Sequence, residues 1–168
     1  EHRDLDLAIE VPGAKGWPDV LLISHVLDEL SHGELADLLA LARHSRALIW
    51  VEAGSRATSR RLSQVRDELR AELEVLAPCT HQASCGVLAA GREASWCHHF
   101  TRPPAEVFTS AFWRAFSSEL GLDLRSVPFS FLAMARRGEP AHPDGARARI
   151  LGSARVLKGR ALLEVCDE

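Results

Sequence analysis

Residues 19–55 read DVLLISHVLDELSHGELADLLALARHSRALIWVEAGS, and the order of patterns inside them decides the fold. Val20 to Ser24 (VLLIS) is a short apolar run of strand length, introduced by the turn signal Trp17-Pro18-Asp19. Ser31 is the expected N-cap of a helix running from about Ser31 to His44. Glu34 stands three residues on, as a capping box requires, and Leu35, Leu38, Leu39 and Ala42 share one stripe. Ala47 to Val51 (ALIWV) is a second buried strand, left through the turn Glu52-Ala53-Gly54-Ser55. Thr58 to Glu72 follows as a helix with Leu62, Val65 and Leu69 on its inner face. Continuously apolar strands alternating with helices predict an α/β fold, built of right-handed βαβ units on a parallel sheet covered on both faces.

Beyond this unit the pattern changes. Leu73 to Ala77 is a short apolar strand, and Pro78 to Arg102 is a loop-like stretch dense in Cys and His. Pro104 to Leu120 reads as a helix with Pro in its first turn and Gly121 as C-cap. Val127–Ala135, Ala148–Ser153 and Leu162–Cys166 read as strands, the last two paired as a hairpin around Lys158-Gly159. No repeat or low-complexity linker divides the chain. The expectation is one α/β unit over residues 1–168 with a Cys/His-rich insertion at 78–102.

Hydrophobic residues make up 46% of the 168 residues and charged residues 26%, an ordinary soluble balance. No apolar run approaches the roughly 18 to 20 residues that cross a bilayer, and no membrane contact is expected. Glu1, Arg3, Asp4 and Asp6 occupy the place of a secretory h-region. With no starting Met, the sequence reads as a piece of a longer protein. Its net charge of −3 is unevenly spread: residues 1–40 hold nine acids against two bases. Residues 136–160 instead carry Arg136, Arg137, Arg147, Arg149, Arg155, Lys158 and Arg160 against Glu139 and Asp144. That stretch is either a nucleic-acid contact or a solvated, Arg-rich hairpin. It lacks the interleaved aromatics that stack on single strands.

The four cysteines stand above this background. Three fall as Cys79-x5-Cys85-x11-Cys97 and the fourth is Cys166, near the C-terminal end. Without a secretory signal, disulfides are not the default, and a polar loop rich in His, Ser and Gly is a poor place to bury thiols as packing. Soft sulfur ligands select zinc or an iron–sulfur centre, and the metal drives their deprotonation. No C-x2-C pair occurs, which favours the wider frame of a cluster, while His81 or His98 could complete a zinc site. Pro78-Cys79 also matches the Pro-Cys dipeptide of cytosine-C5 methyltransferases. A nucleophilic Cys needs an electropositive pocket and a nearby acid, however, and this Cys-rich context favours a ligand.

The segments LAPCTHQASCGVL (76–88), SWCHHF (95–100), VPFSFLAMARR (127–137) and RILGSARVLKGRALLEVC (149–166) resemble the methyltransferase-like proteins of the mitochondrial small ribosomal subunit and their bacterial relatives. DVLLISHVLDEL (19–30) and ALIWVEAGS (47–55) are similar to the late-sheet portion of that family's class I methyltransferase fold. The resemblance implies a Rossmann-like fold and a [4Fe–4S] cluster on Cys79, Cys85, Cys97 and Cys166. It further implies a role in small-subunit assembly with contact to rRNA rather than DNA. Gly86 stands where relatives commonly have Pro, and His98-His99 doubles what is often one His. Neither change touches a ligand position.

Methyl transfer is where the sequence departs furthest. A class I methyltransferase grips S-adenosylmethionine mainly through a Gly-rich turn after its first strand and an acid after its second. No G-x-G-x-x-G-like run occurs here, so the N-terminal cofactor-binding half is expected to lie outside this sequence. Ser24, His25 and Val26 are then candidates to line the methionine end of the cofactor in a full-length protein. His25 and Asp28 equally fit surface positions of a turn and a helix start. No Asn/Asp-Pro-Pro-Tyr-type motif follows Val20–Ser24, and no acid–base pair is evident. The expected location is cytoplasmic for a bacterial chain and the mitochondrial matrix for a eukaryotic one.

Overall fold

The structure, a computed structural model, describes residues 19–138 and 148–167. The Trp17-Pro18 punctuation, the charges of residues 1–18, and Glu139, Asp144 and Arg147 of the basic stretch lie outside the described residues. The element order is β1 (Val20–Ser24), α1 (His32–His44), β2 (Ala47–Ala53), α2 (Arg56–Leu69), β3 (Leu73–Ala77), β4 (His99–Phe100), α3 (Glu106–Thr109), α4 (Ala111–Leu120), β5 (Pro128–Arg136), β6 (Arg149–Leu157) and β7 (Arg160–Cys166). The capping box forms as read: Ser31 accepts from the Glu34 amide, and Glu34 accepts from the Ser31 amide at 2.8 Å. Ser55 caps α2 in the same way, accepting from the Thr58 amide at 3.2 Å.

The sheet runs β1-β2-β5-β3, with the short β4 also paired to β5. β1 and β2 are parallel, with Val20 opposite Ala47 and Ser24 opposite Val51. β5 is antiparallel to both β2 and β3. The sheet is therefore mixed α/β, not purely parallel. An apolar run reports that a strand is flanked on both sides and says nothing of its direction. PFSFLAMAR is apolar because β5 lies between β2 and β3. β6 and β7 form a separate antiparallel hairpin, with Arg149 opposite Cys166 at its base and Leu157 opposite Arg160 at its tip.

Among the described residues, helices cover only one face of the sheet. Leu48, Trp50, Leu132 and Met134 point to one side and are buried with Leu39 and Ala42 of α1 and Leu62, Val65 and Leu69 of α2. The alternate positions of β1 and β2 stay open, Val20 at 57%, Leu22 at 69% and Ile49 at 42% exposure. The pleat thus sorts strands that looked apolar throughout into a core face and an open face. The long helix expected over 104–120 is also broken, because Ser110 takes an extended conformation (ψ 129°) between α3 and α4. The Thr109 hydroxyl donates to the Ala105 carbonyl at 3.2 Å, local bonding that competes with helix continuation. Gly121 ends α4 in the left-handed region, φ 62°, as its sequence position predicts.

β2 continues through Glu52 and Ala53, residues that the sequence pattern assigns to a turn. Glu52 is buried, and its Oε1 accepts from the Trp50 indole at 2.7 Å and from the amides of Val26 and Leu27 at 3.1 and 3.0 Å. One carboxyl oxygen therefore fixes the chain as it leaves β1. Beside it, Gly54 packs so tightly against β5 that an added Cβ would lie 2.5 Å from the Pro128 carbonyl carbon. Glu52→Ala is expected to strand three donors in the interior and to cost about 3 kcal/mol; a urea midpoint close to that of the parent chain would refute the assignment.

Candidate metal centre

Pro78 to His98 leaves the sheet with only one turn of 3-10 helix, Gly86–Leu88, so its backbone polar groups need partners from elsewhere. One flank of α2 provides them. Arg60 Nη1 lies 2.6, 2.9 and 2.9 Å from the carbonyls of Val87, Arg92 and Ser95. Arg66, buried at 2% exposure, donates to the carbonyls of His81 at 3.0 Å and Ala83 at 2.5 Å. Asp67 accepts the Cys85 amide on both carboxylate oxygens, at 3.1 and 3.0 Å. The Trp96 indole donates to the Gly54 carbonyl at 3.1 Å. These anchors are invisible to a search for ligands; the one signal for them is a polar, Arg-rich helix flank beside the apolar stripe.

Each cysteine is set by a different element. Cys79 follows the end of β3 and is buried. Cys85 is held through its amide by Asp67 of α2. Cys97 is held through its carbonyl, which accepts from Ser130 of β5 at 2.8 Å. Cys166 ends β7, opposite Arg149. Cys79, Cys85 and Cys97 line one small cavity together with Arg66, Pro78, Ser130 and Leu132. Cys79 lies within electrostatic reach of Cys85, Cys97 and Cys166. Three of the thiols picked out by spacing thus share one cavity, while Cys166 lines another with His81 and Leu151 yet lies within electrostatic reach of the others; all four are free.

They do not close to single-ion geometry. Among the described residues no group of three or more His, Cys, Asp or Glu side chains is gathered tightly enough to hold one metal ion. The sulfurs instead touch polar neighbours. Arg149 Nη1 donates to Cys97 Sγ at 3.1 Å, and His81 Nε2 lies 3.3 Å from Cys166 Sγ. His99 Nε2 is 4.0 Å from Cys97 Sγ. Of the two histidines offered as zinc ligands, His98 is directed elsewhere: its ring stacks on Trp96 at 4.9 Å, and Nδ1 lies 3.3 Å from the Trp96 carbonyl. Its neighbour His99 is the one beside a thiol.

Burial pushes the Cys79 thiol up to about 11, with Arg66 acting weakly in the opposite direction. Burial, followed by the other thiols, raises Cys166 as well. A nucleophilic cysteine requires the opposite shift, so the raised Cys79 thiol does not favour the nucleophile reading of the Pro-Cys dipeptide. Burial, then Arg149, then His98 hold His99 down to about 4.

The cofactor-lining candidates lie apart from the thiols. Ser24 and Val26 line a groove of about 440 Å³ between β1 and α1, with Leu21, Leu30, Leu38 and Leu41. His25 is exposed, adopts φ 54°, and donates its amide to the Val51 carbonyl at 2.9 Å; it does not line the groove. Asp28 accepts a hydrogen bond from Thr58 at the start of α2. No helix among the described residues is long and apolar enough to cross a membrane.

A mixed α/β sheet with four convergent thiols between a side-chain-braced loop and a terminal hairpin defines the class of this chain. The family model described as Mitochondrial small ribosomal subunit Rsm22 matches residues 2–168, and the chain belongs to that family. No curated protein matches it. The resemblance carried by the Cys-containing and late-strand segments is borne out at the level of the family.

The depressed His99 gives a pH signature. The unfolded chain binds the proton below about pH 6.5, whereas the folded chain does so only near 4. Stability contributed by the neutral ring is therefore complete above 6.5 and lost as pH falls through that window. Urea midpoints of the parent chain are expected to drop more steeply between pH 7 and 5 than those of His99→Phe; parallel curves would rule the effect out.

Proposed function

We propose that this chain is the late half of a methyltransferase-fold protein of small ribosomal subunit assembly. In this reading Cys79, Cys85, Cys97 and Cys166 hold a [4Fe–4S] cluster, and the terminal hairpin contacts rRNA. The observation that carries it is the convergence of four thiols from the end of β3, the following loop and β7. The donor set fits: four soft sulfurs, one buried and three half-buried, with guanidinium groups nearby and no disulfide. Among the described residues no group of three or more His, Cys, Asp or Glu side chains is gathered to hold a single ion, and the cysteines include no C-x2-C pair; the cysteine spacing is what favours the wider frame of a cluster over zinc. When bound, the cluster supplies a covalent cross-link between loop and hairpin.

Family membership supports a role at the small subunit, and for a eukaryotic member a mitochondrial location. The sheet order supports the methyltransferase fold. A final strand set antiparallel between two strands that run alike is what the late half of a class I methyltransferase sheet requires. The reading assigns no catalytic step to these residues.

The basic surface is narrower than its sequence implies. Arg136 donates to the His44 carbonyl at 2.9 Å, and Arg149 is directed to Cys97. Arg155, Lys158 and Arg160 near the hairpin tip are exposed. These three are the proposed phosphate contacts.

Anaerobically purified protein is expected to contain iron and acid-labile sulfide in equal amounts, with a visible charge-transfer band. Stoichiometric zinc without sulfide would replace the cluster by the simpler site, and absence of both would remove the centre. Cys166→Ser should lower iron retention and leave the hairpin protease-sensitive. Neutralising Arg155, Lys158 and Arg160 together should reduce the log–log salt slope of rRNA binding by about 2 to 3; an unchanged slope would take the hairpin tip out of the RNA contact.

A further inference from the structure

Arg149 makes a contact that ligation by the four cysteines does not itself require. It is half-buried at the base of β6, directly opposite Cys166. Its Nη1 donates to Cys97 Sγ at 3.1 Å, and its Nη2 lies 3.3 Å from His99 Nδ1. With Nδ1 accepting that bond, the remaining imidazole proton sits on Nε2, the nitrogen 4.0 Å from the same sulfur. The His99 ring packs against the stacked pair Phe129 and Phe131, at centroid distances of 5.6 and 4.7 Å. Two N–H groups are thus aimed at Cys97 from a braced position on the sheet.

Charge points the same way from the other side of the nest. Four thiolates around a doubly charged core would leave two negative charges in a partly buried site. Two guanidinium groups stand within reach. Arg66 is close enough to act on Cys79, Cys85 and Cys166, and Arg149 on Cys97 and Cys166.

We infer that Arg149 is a positioning residue for the metal centre, its guanidinium hydrogen-bonded to the Cys97 sulfur and favouring the more negative, reduced state of a bound cluster. This rests on the iron–sulfur reading. Hydrogen bonds to ligand sulfurs and net local charge are the levers by which a protein sets a cluster's reduction potential. A plain docking role for Arg149 makes a different prediction, because the hairpin has a second anchor that touches no sulfur. Glu164 accepts from Arg92 at 3.1 Å and from Ser95 at 2.8 Å.

The test uses the full chain, purified anaerobically, with iron and sulfide measured before an optical redox titration against added dithionite. Arg149→Gln is expected to shift the oxidised-to-reduced equilibrium about tenfold toward the oxidised form, a fall of ~59 mV for one electron. Arg149→Lys should recover part of that shift, and Glu164→Gln should leave the potential in place. Should Arg149→Gln lose its iron, retention by Arg149→Lys supports the assignment and loss from both variants overturns it. Equal potentials in Arg149→Gln and parent, or an equal shift in Glu164→Gln, also overturn it. A parent chain without iron and sulfide removes the underlying cluster reading and this inference with it, an outcome visible before any variant is compared.

Discussion

The bonds from α2 to the carbonyls of the 81–95 stretch are the constraint on which the thiol nest depends. A loop of this length with one turn of 3-10 helix leaves a series of backbone acceptors that the sheet and helices do not satisfy. Arg60 and Arg66 meet five of them, and Asp67 receives the Cys85 amide. The loop path is thus set by a helix that is itself fixed by Leu62, Val65 and Leu69 in the core. Protein side chains thus brace the loop backbone independently of any ligand bound at sulfur.

Information flows outward from that helix. Once α2 sits on β2 and β5, Asp67 places Cys85, and Ser130 of β5 holds Cys97 by its carbonyl. Ser130 also shares a hydrogen bond with Ser59 of α2 at 2.5 Å, so helix, central strand and loop are joined through two hydroxyls. Only Cys166 arrives from outside the main sheet. Its hairpin docks by polar contacts to the loop, through Arg149, Cys166 and Glu164, together with the buried Leu151.

Much of this was legible in the sequence, for identifiable reasons. β1, β3, the capping box of α1 and the Gly121 cap are written in local chemistry and occur where read. The cysteines stood out in the sequence by their density in a polar loop, although Cys79 itself packs into the apolar core. Strand direction was not legible, since PFSFLAMAR would have the same composition parallel or antiparallel. Glu52 looked like turn punctuation, and no local signal marks it as a buried acceptor for three donors. Arg149 merged with the basic residues around it; its role depends on a β6–β7 register that brings it opposite Cys166, a long-range fact. His99 and His98 are adjacent and alike in sequence, yet His99, in β4, lies beside a thiol while His98, just before the strand, stacks on Trp96.

Gln82 has a part beyond the metal site. Its side-chain amide accepts from the Val75 amide at 2.9 Å and donates to the Val75 carbonyl at 2.7 Å, copying with one side chain what a neighbouring strand would offer. β3 is the outer strand of the sheet on that side, and an outer strand with free backbone groups is a template for pairing with another molecule. By occupying Val75 from within, the loop that carries the thiols also screens β3 against edge-to-edge association. If that loop detached, the chain would expose a sticky sheet margin, so keeping the loop in place also protects the protein from aggregation.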